Sequence, residues 1–278
     1  DRDAQTYLRR FNSDVYGWLA PLMGALGDQK KDTLDGMYDA EVAAQDVQVG
    51  QFLDQLKQSG CLENTYVVVC ADHGEHLGEK QLIGHSLSIY NELVQVPLII
   101  HDPTDIIERG TIRDDVVSTR CLFHTVLSAA GLATQEEAAL SLEHPDVSKT
   151  LEEIEPERCV YAEAITPQNV LNLIQKRQPE LISQHACDQT RRAVWVGNHK
   201  LIETEKNPPQ LYDVQDDPGE SLDLSEIFPE MVESLQDSLS AFGQDAEEHR
   251  TLYSQARATG FDDPEVRRRL KDLGYLEE

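Results

Sequence analysis

The sequence is poor in basic residues. Its 278 residues contain 9 lysines and 15 arginines against 51 Asp and Glu, which gives a formal net charge of -27 at pH 7. A nucleic acid partner would need a basic stripe to offset the repulsion of its phosphates. The basic clusters are short, Arg191–Arg192 and Arg267–Arg269 among them, and a solvated or ion-paired face explains them. We therefore expect no nucleic acid partner.

Long apolar runs are also missing. No stretch approaches the roughly 18 apolar residues that a membrane helix needs, and runs such as Tyr66–Cys70 and Val96–Ile100 span five residues, the length of a strand. We expect no membrane segment in this chain. The acidic excess with few lysines predicts adaptation to high salt, although an acidic surface also serves as a general solubility device.

Cysteine is sparse and has no useful spacing. The intervals between the five cysteines are 9, 51, 38 and 28 residues, which excludes a zinc ribbon and a Cys-x-x-Cys redox pair. Cys70 and Cys159 lie in apolar strand-like segments, where a small buried thiol is expected. Thiols of this kind favour a reducing compartment, and with the acidic composition they predict a cytoplasmic protein of a halophile.

The most informative segment that is present combines a strand pattern with polar side chains. The apolar run Tyr66–Cys70 predicts a buried strand, and Asp72, His73 and Gly74 follow it directly. Open α/β sheets place ligand sites beyond the carboxyl ends of their strands. A carboxylate and an imidazole beside a glycine can turn toward one ion. Metal binding is therefore the first hypothesis, with a helix cap or a surface histidine as the alternative.

The surroundings of this segment predict an ordered α/β unit. Apolar residues recur at helical spacing over Thr33–Ser59, and Gly60 ends that helix. Val96–Ile100 predicts a second buried strand. The predicted order is helix, strand, polar loop, strand.

The remainder of the chain predicts a smaller second domain. We expect residues 1–133 to form part of a catalytic domain, residues 134–158 an acidic connection, and residues 159–278 an α+β subdomain with a tail. The predicted elements of the subdomain are the strand Cys159–Ala164, two strands in Ala193–Glu203 joined at Gly197–Asn198, a strand at Leu211–Tyr212, and a helix over Ser225–Phe242 capped by Ser225.

Several segments together resemble a known family. They are Tyr38-Asp39-Ala40-Glu41-Val42, Asp72-His73-Gly74-Glu75, Leu77-Gly78-Glu79, Val96-Pro97-Leu98-Ile99, Trp195–Ile202, Leu211-Tyr212-Asp213 and Asp217-Pro218-Gly219-Glu220. In this order they resemble the sulfatase family of the alkaline phosphatase superfamily. The resemblance implies an α/β sandwich, with a mixed and mostly parallel sheet flanked by helices, and a smaller C-terminal antiparallel sheet with a helix.

The resemblance also implies a site. Asp72 and His73 match the second pair of metal ligands, and His85 matches a family position that touches the sulfate and can protonate the leaving alcohol. Lys80 is a further candidate for substrate contact. Glu75 is a candidate to orient His73 by a hydrogen bond to the ring nitrogen that does not face the metal. The family default is one calcium ion, whereas the imidazole of His73 favours manganese or zinc.

The sequence leaves the reaction class open. An Asp-His pair such as Asp72-His73 also resembles phosphonate and phosphate ester hydrolases of the same superfamily. The first hypothesis is metal-dependent cleavage of a small-molecule or carbohydrate sulfate ester. The alternatives are a phosphodiesterase, phosphonate hydrolase or phosphoglycerol transferase, and a non-catalytic binding protein that keeps the fold. His76, three residues after His73, is a weaker candidate ligand.

One expected part of the family pattern is absent from this sequence. No cysteine or serine begins a Cys/Ser-x-Pro-x-Arg motif, whose first residue would become the formylglycine nucleophile, and the family's first pair of aspartates is not found. The chain opens at Asp1 without a methionine. We expect the chain to be the C-terminal part of a longer enzyme and to be inactive by itself.

Overall fold

The computed structural model describes residues 28–104, 106–107, 109–142, 159–177, 179–184, 186–255 and 268. The chain divides into two compact units, residues 1–236 and 237–278. The helices are α1 (Asp28–Gln58), α2 (Asn91–Val94), α3 (Cys121–Ala129), α4 (Gln135–Ala139), α5 (Gln168–Arg177), α6 (Glu180–Gln184) and α7 (Pro229–Gln255). The strands are β1 (Val67–Cys70), β2 (His76–Leu77), β3 (Ile83–Gly84), β4 (Leu98–His101), β5 (Val160–Ala164), β6 (Arg191–Val196), β7 (His199–Thr204) and β8 (Gln210–Asp213).

Helix α1 confirms the predicted helix and its end. The chain leaves the helix because Gly60 adopts a left-handed conformation with φ 74°, which glycine reaches without steric cost. Leu34 is buried, whereas Tyr38, Val42 and Phe52 remain exposed in the described structure. The helical spacing of apolar residues therefore predicted the helix correctly, but most of this apolar face has no cover among the described residues.

Strand β1 pairs with β4 in an antiparallel ladder, whereas the family resemblance implies a mostly parallel sheet. Val67 lies opposite His101 and Cys70 opposite Leu98 in an antiparallel ladder. Every strand pair in the described ranges is antiparallel, so the mostly parallel sheet is not found in this part of the chain. A parallel pair needs a crossover connection of a dozen or more residues, usually a helix. Between β1 and β4 the chain forms the short strands β2 and β3, and the only α-helix among the described residues there is α2, which has four residues.

The burial of β1 is also lower than expected. Its residues are partly buried and Cys70 is exposed, because a two-stranded sheet leaves much of its surface uncovered. The predicted burial of Cys70 is therefore wrong. Cys159 is buried as predicted.

The second sheet has four antiparallel strands in the order β5-β6-β7-β8. The hairpin between β6 and β7 turns at Gly197–Asn198 as predicted, and Gly197 has φ 57°, a conformation typical of a two-residue hairpin turn. Its core packs Ala193, Trp195, Ile202 and Tyr212 against Ile89. This sheet therefore packs against the segment that begins α2.

Helix α7 begins four residues later than predicted. Pro229 occupies the first turn, where proline's missing N–H costs nothing. Ser225 instead donates its backbone N–H to Asp223 Oδ1 at 2.9 Å, so Ser225 is not the cap. The predicted acidic connection begins as the short helix α4, and residues 143–158 lie outside the described ranges.

Candidate metal centre

The ligand loop, residues 71–75, leaves β1 and passes very close to α2. The Gly74 N–H donates to the Leu93 carbonyl at 2.8 Å. A Cβ placed on Gly74 would lie 2.0 Å from the Glu92 carbonyl oxygen, far inside any allowed contact. The loop can therefore lie against α2 only because residue 74 is glycine.

His73 has one ring nitrogen committed and one available. Its Nδ1 lies 2.8 Å from the Gly74 carbonyl oxygen, and since a carbonyl only accepts, Nδ1 carries the hydrogen. The lone pair is then on Nε2, which is the atom that a metal would take. Asp72 Oδ1 accepts the His73 backbone N–H at 3.0 Å, and Asp72 Oδ2 lies 3.9 Å from His73 Nε2.

These two donor atoms lie near the spacing of two ligands on one ion. Zinc is bound tetrahedrally with bonds of about 2.0–2.2 Å, which places its ligand atoms about 3.4 Å apart. The 3.9 Å between Asp72 Oδ2 and His73 Nε2 exceeds that spacing by about 0.5 Å. The chemistry and spacing of the predicted pair are therefore compatible with one divalent cation.

His85 lies beside His73. The two rings stack with their centroids 4.2 Å apart and their planes 28° from parallel. His85 Nδ1 lies 2.9 Å from Glu75 Oε2. One donor atom from each of His73, Glu75 and His85 falls within 4.8 Å of the others, so these three side chains form a nitrogen- and oxygen-rich group. Glu75 partners His85 and not His73, which corrects its predicted role.

Short-range structure explains how Glu75 meets His85. In the β2–β3 ladder His76 lies opposite Gly84, so one step outward Glu75 lies opposite His85. Leu82 and Leu87, on either side of His85, pack on the buried cluster Ile174, Leu181 and Cys187. No spacing rule joins residues ten apart in a loop, and the Glu75–His85 pair could not be read from the sequence.

His76 is a structural histidine. It is 1 % exposed, and its Nε2 lies 2.6 Å from Ser88 Oγ. Burial lowers the pKa of His76 to about 4, with the nearby Glu79 carboxylate opposing this shift. Strand alternation turns His76 away from the face that Glu75 occupies, so His76 does not join the group formed by His73, Glu75 and His85.

Lys80 contacts the C-terminal sheet region. Its Nζ donates to the Gly219 carbonyl at 2.6 Å and to the Glu220 carbonyl, and lies 5.0 Å from the centroid of the Tyr90 ring. Lys80 itself has a left-handed backbone with φ 54°. These contacts use much of the donor capacity of its ammonium group, and its role in substrate binding remains a prediction.

A buried ion pair near α2 was missed from the sequence. Lys200 Nζ lies 2.7 Å from Glu220 Oε1, and both side chains are 0 % exposed. Burial lowers the pKa of Lys200 to about 8, and the Glu220 charge opposes that shift. A lysine within the apolar stretch of β7 was the one available signal, because a lysine is almost never fully buried unless it is paired.

Comparison with known proteins supports the sulfatase family. Residues 14–132 match the family model described as Sulfatase. Arylsulfatase K from Bos taurus is 25% identical over 222 residues, which cover 78% of this chain and 38% of that protein. The chain therefore spans well under half the length of this relative.

Solved structures support the alkaline phosphatase-like fold. A protein in complex with its substrate D-glucosamine-2-N,6-O-disulfate aligns with a TM-score of 0.55 at 21% identity, covering 74% of this chain and 40% of that one. The phosphonate monoester hydrolase of Agrobacterium radiobacter aligns with a TM-score of 0.55 at 19% identity, and the alignment covers 81% of this chain and 42% of that one. Within the described residues, no helix combines the length and apolar character needed to span a bilayer.

Proposed function

We propose that this chain is the metal-binding part of a sulfatase that hydrolyses a sulfate ester. Asp72 and His73 are the proposed metal ligands, and His85 is the proposed contact to the sulfate. The observation that carries the proposal is the stacking of His85 on His73, with centroids 4.2 Å apart. This stacking lies just beyond β1, inside the region that matches the sulfatase family model.

The donor set favours particular metals. A bound divalent ion would polarise an oxygen of the ester and stabilise charge that develops on it. Imidazole nitrogen suits zinc and manganese better than it suits calcium, which prefers oxygen ligands. We therefore propose Mn²⁺ or Zn²⁺ ahead of the Ca²⁺ that the family resemblance implies, with one ion bound by Asp72 and His73.

His85 can carry a proton at a defined atom. The Nδ1–H of His85 donates a hydrogen bond to Glu75 Oε2 at 2.9 Å. This bond fixes the orientation of the ring and leaves Nε2 free to contact the substrate. A protonated His85 can then donate from Nε2 to a sulfate oxygen or to the departing alcohol oxygen. His85 is thus the proposed catalytic residue of this chain, and Lys80 is a proposed secondary contact to the substrate.

The attacking group must come from outside the motifs present here. The sequence contains no Cys/Ser-x-Pro-x-Arg segment, so we propose that these 278 residues alone do not turn over an ester. A formylglycine elsewhere in the longer protein is the proposed nucleophile. The proposed substrates are small-molecule or carbohydrate sulfate esters, which is supported by the sulfated glucosamine bound to one structural neighbour.

The test uses the longest natural protein that contains this chain, assayed at high salt on paired aryl sulfate and aryl phosphate esters. Removal of metal with EDTA is expected to abolish sulfate turnover, and added Mn²⁺ or Zn²⁺ to restore it. His73→Ala is expected to lower metal content by elemental analysis, and His85→Gln to lower kcat at unchanged metal content. His199→Ala in β7 is the matched control.

Two results would contradict this proposal. Unchanged metal content in His73→Ala would refute the ligand assignment. Metal binding without turnover of any ester would favour a binding protein that keeps the fold.

Hydrolysis of a phosphonate or phosphate ester is the second candidate. It is supported by the fold likeness to the phosphonate monoester hydrolase, at a TM-score of 0.55, and by the Asp72-His73 pair itself. The same paired assay decides between the two, because this candidate predicts faster turnover of the phosphorus esters than of the sulfate ester.

A further inference from the structure

The Lys200–Glu220 pair lies between the C-terminal sheet and α2. Lys200 lies on β7 and Glu220 in the turn after β8. Besides its 2.7 Å contact to Glu220, Lys200 Nζ lies 4.6 Å from the centroid of the Trp195 ring. A buried ion pair adds little net stability compared with apolar side chains of similar size. The presence of this buried, directional ion pair is therefore better explained by a role in positioning the backbone around it.

Both members of the pair hold the start of α2. Lys200 Nζ donates to the Ile89 carbonyl at 2.7 Å and to Asn91 Oδ1 at 3.2 Å. Glu220 Oε2 accepts the Asn91 backbone N–H at 2.6 Å. The Asn91 side chain in turn donates to the Pro218 carbonyl at 3.2 Å. Four hydrogen bonds therefore attach Ile89 and Asn91 to strand β7 and to the segment that follows β8.

Helix α2 in turn supports the ligand loop. Leu93, two residues after Asn91, accepts the Gly74 N–H at 2.8 Å. The neighbouring Glu92 carbonyl lies where a side chain on residue 74 would begin. Because both contacts involve backbone atoms of α2, a shift of α2 moves the surface on which Gly74 lies. The Gly74 carbonyl that fixes the His73 tautomer belongs to the same residue.

We propose that Lys200 and Glu220 are positioning residues of the metal centre, holding α2 so that Asp72 and His73 face one ion. The metal part of this inference rests on the proposed function. The positional part does not, since it concerns the geometry of His73 in the metal-free chain. The backbone of Glu220 supports it: φ is 48°, a conformation that non-glycine residues rarely adopt without a compensating contact.

The experiment compares two double variants of the 278-residue chain. Lys200→Met/Glu220→Gln removes both buried charges and leaves no unpaired ion. Glu163→Gln/Arg192→Gln is the control, since this pair is 2.7 Å apart on the same sheet but is about half exposed. The ring nitrogen NMR shifts of His73 report which nitrogen carries the hydrogen without metal. Calorimetric titration with Zn²⁺ reports the affinity, and circular dichroism confirms folding.

The inference predicts that the buried-pair variant folds, loses the Nδ1–H tautomer of His73 and binds Zn²⁺ about tenfold more weakly, as is usual when support behind a metal ligand is removed. The control variant Glu163→Gln/Arg192→Gln is expected to keep both the wild-type tautomer of His73 and the wild-type affinity for Zn²⁺. A folded buried-pair variant with the wild-type tautomer would overturn the inference. If the wild-type chain does not bind Zn²⁺ while the tautomer changes in the variant, the positioning role stands and the metal assignment of the proposed function fails.

If the neutral double variant does not fold, Lys200→Arg replaces it, because arginine keeps the charge but changes the donor geometry. A changed tautomer in Lys200→Arg then supports the inference. An unchanged tautomer together with unchanged Zn²⁺ affinity overturns it.

Discussion

Gly74→Ala tests whether the ligand loop depends on its contact with α2. The new Cβ would lie 2.0 Å from the Glu92 carbonyl oxygen and 3.1 Å from its carbon. To reach an ordinary contact of about 3.4 Å, residue 74 and the Glu92 carbonyl must separate by about 1.4 Å. This separation would break the 2.8 Å hydrogen bond from the residue 74 N–H to the Leu93 carbonyl. Overpacking costs about 1–3 kcal/mol and a hydrogen bond about 0.5–1.5 kcal/mol.

The expected loss in the free energy of unfolding is therefore about 2–4 kcal/mol, measured by urea denaturation at pH 7. Gly50→Ala in α1 is the matched control, because a Cβ there meets nothing within 4 Å and alanine favours a helix by up to about 1 kcal/mol. A Gly74→Ala protein within about 0.5 kcal/mol of wild type would refute the reasoning, since the loop would then move freely away from α2.

Three further predictions concern stability. Burial lowers the pKa of His76 from 6.5 to about 4. The contribution of this buried, neutral imidazole to the free energy of unfolding is therefore complete above pH 6.5 and is lost as the pH falls toward 4. Between pH 7 and pH 5, the free energy of unfolding measured with urea should fall on the order of 2 kcal/mol more for wild type than for His76→Gln. An equal fall in the two proteins would refute this. Lys200→Met should cost about 3–5 kcal/mol by leaving Glu220 charged and unpaired, whereas adding Glu220→Gln should recover part of that loss in the same assay. Thr134→Ala should cost about 1 kcal/mol, because Thr134 Oγ1 accepts the Glu137 N–H at 3.2 Å in a capping box; unchanged amide exchange in α4 would contradict that.

Local patterns in the sequence predicted the local elements well. Helical spacing with Gly60 identified α1, and Gly197–Asn198 identified the hairpin of the second sheet. The start of α7 was misplaced, because the serine signal at Ser225 competed with Pro229, whose fixed φ suits a first helical turn. Such errors concern boundaries, where several short signals lie within one turn.

Strand partners were harder to predict than strands. The run Tyr66–Cys70 was recognised as a strand, yet its antiparallel partner β4 and the exposure of Cys70 depend on what covers the sheet. Burial is a property of neighbours that are distant along the chain, so a short apolar run cannot specify it.

The sequence by itself determined which residues are available for chemistry: an Asp-His-Gly segment directly after a strand, and a histidine twelve residues beyond His73. Only the tertiary structure decided their partners. It pairs Glu75 with His85, commits His76 to Ser88, and links Gly74 through α2 to Lys200 and Glu220. The physical reason is that a residue's type and its local conformation are set by its own atoms and near neighbours. Hydrogen-bond partners and burial, in contrast, depend on how separate segments meet in the folded chain: the partners of Glu75 and His76 lie ten and twelve residues away, and those of Ile89 and Asn91 more than a hundred.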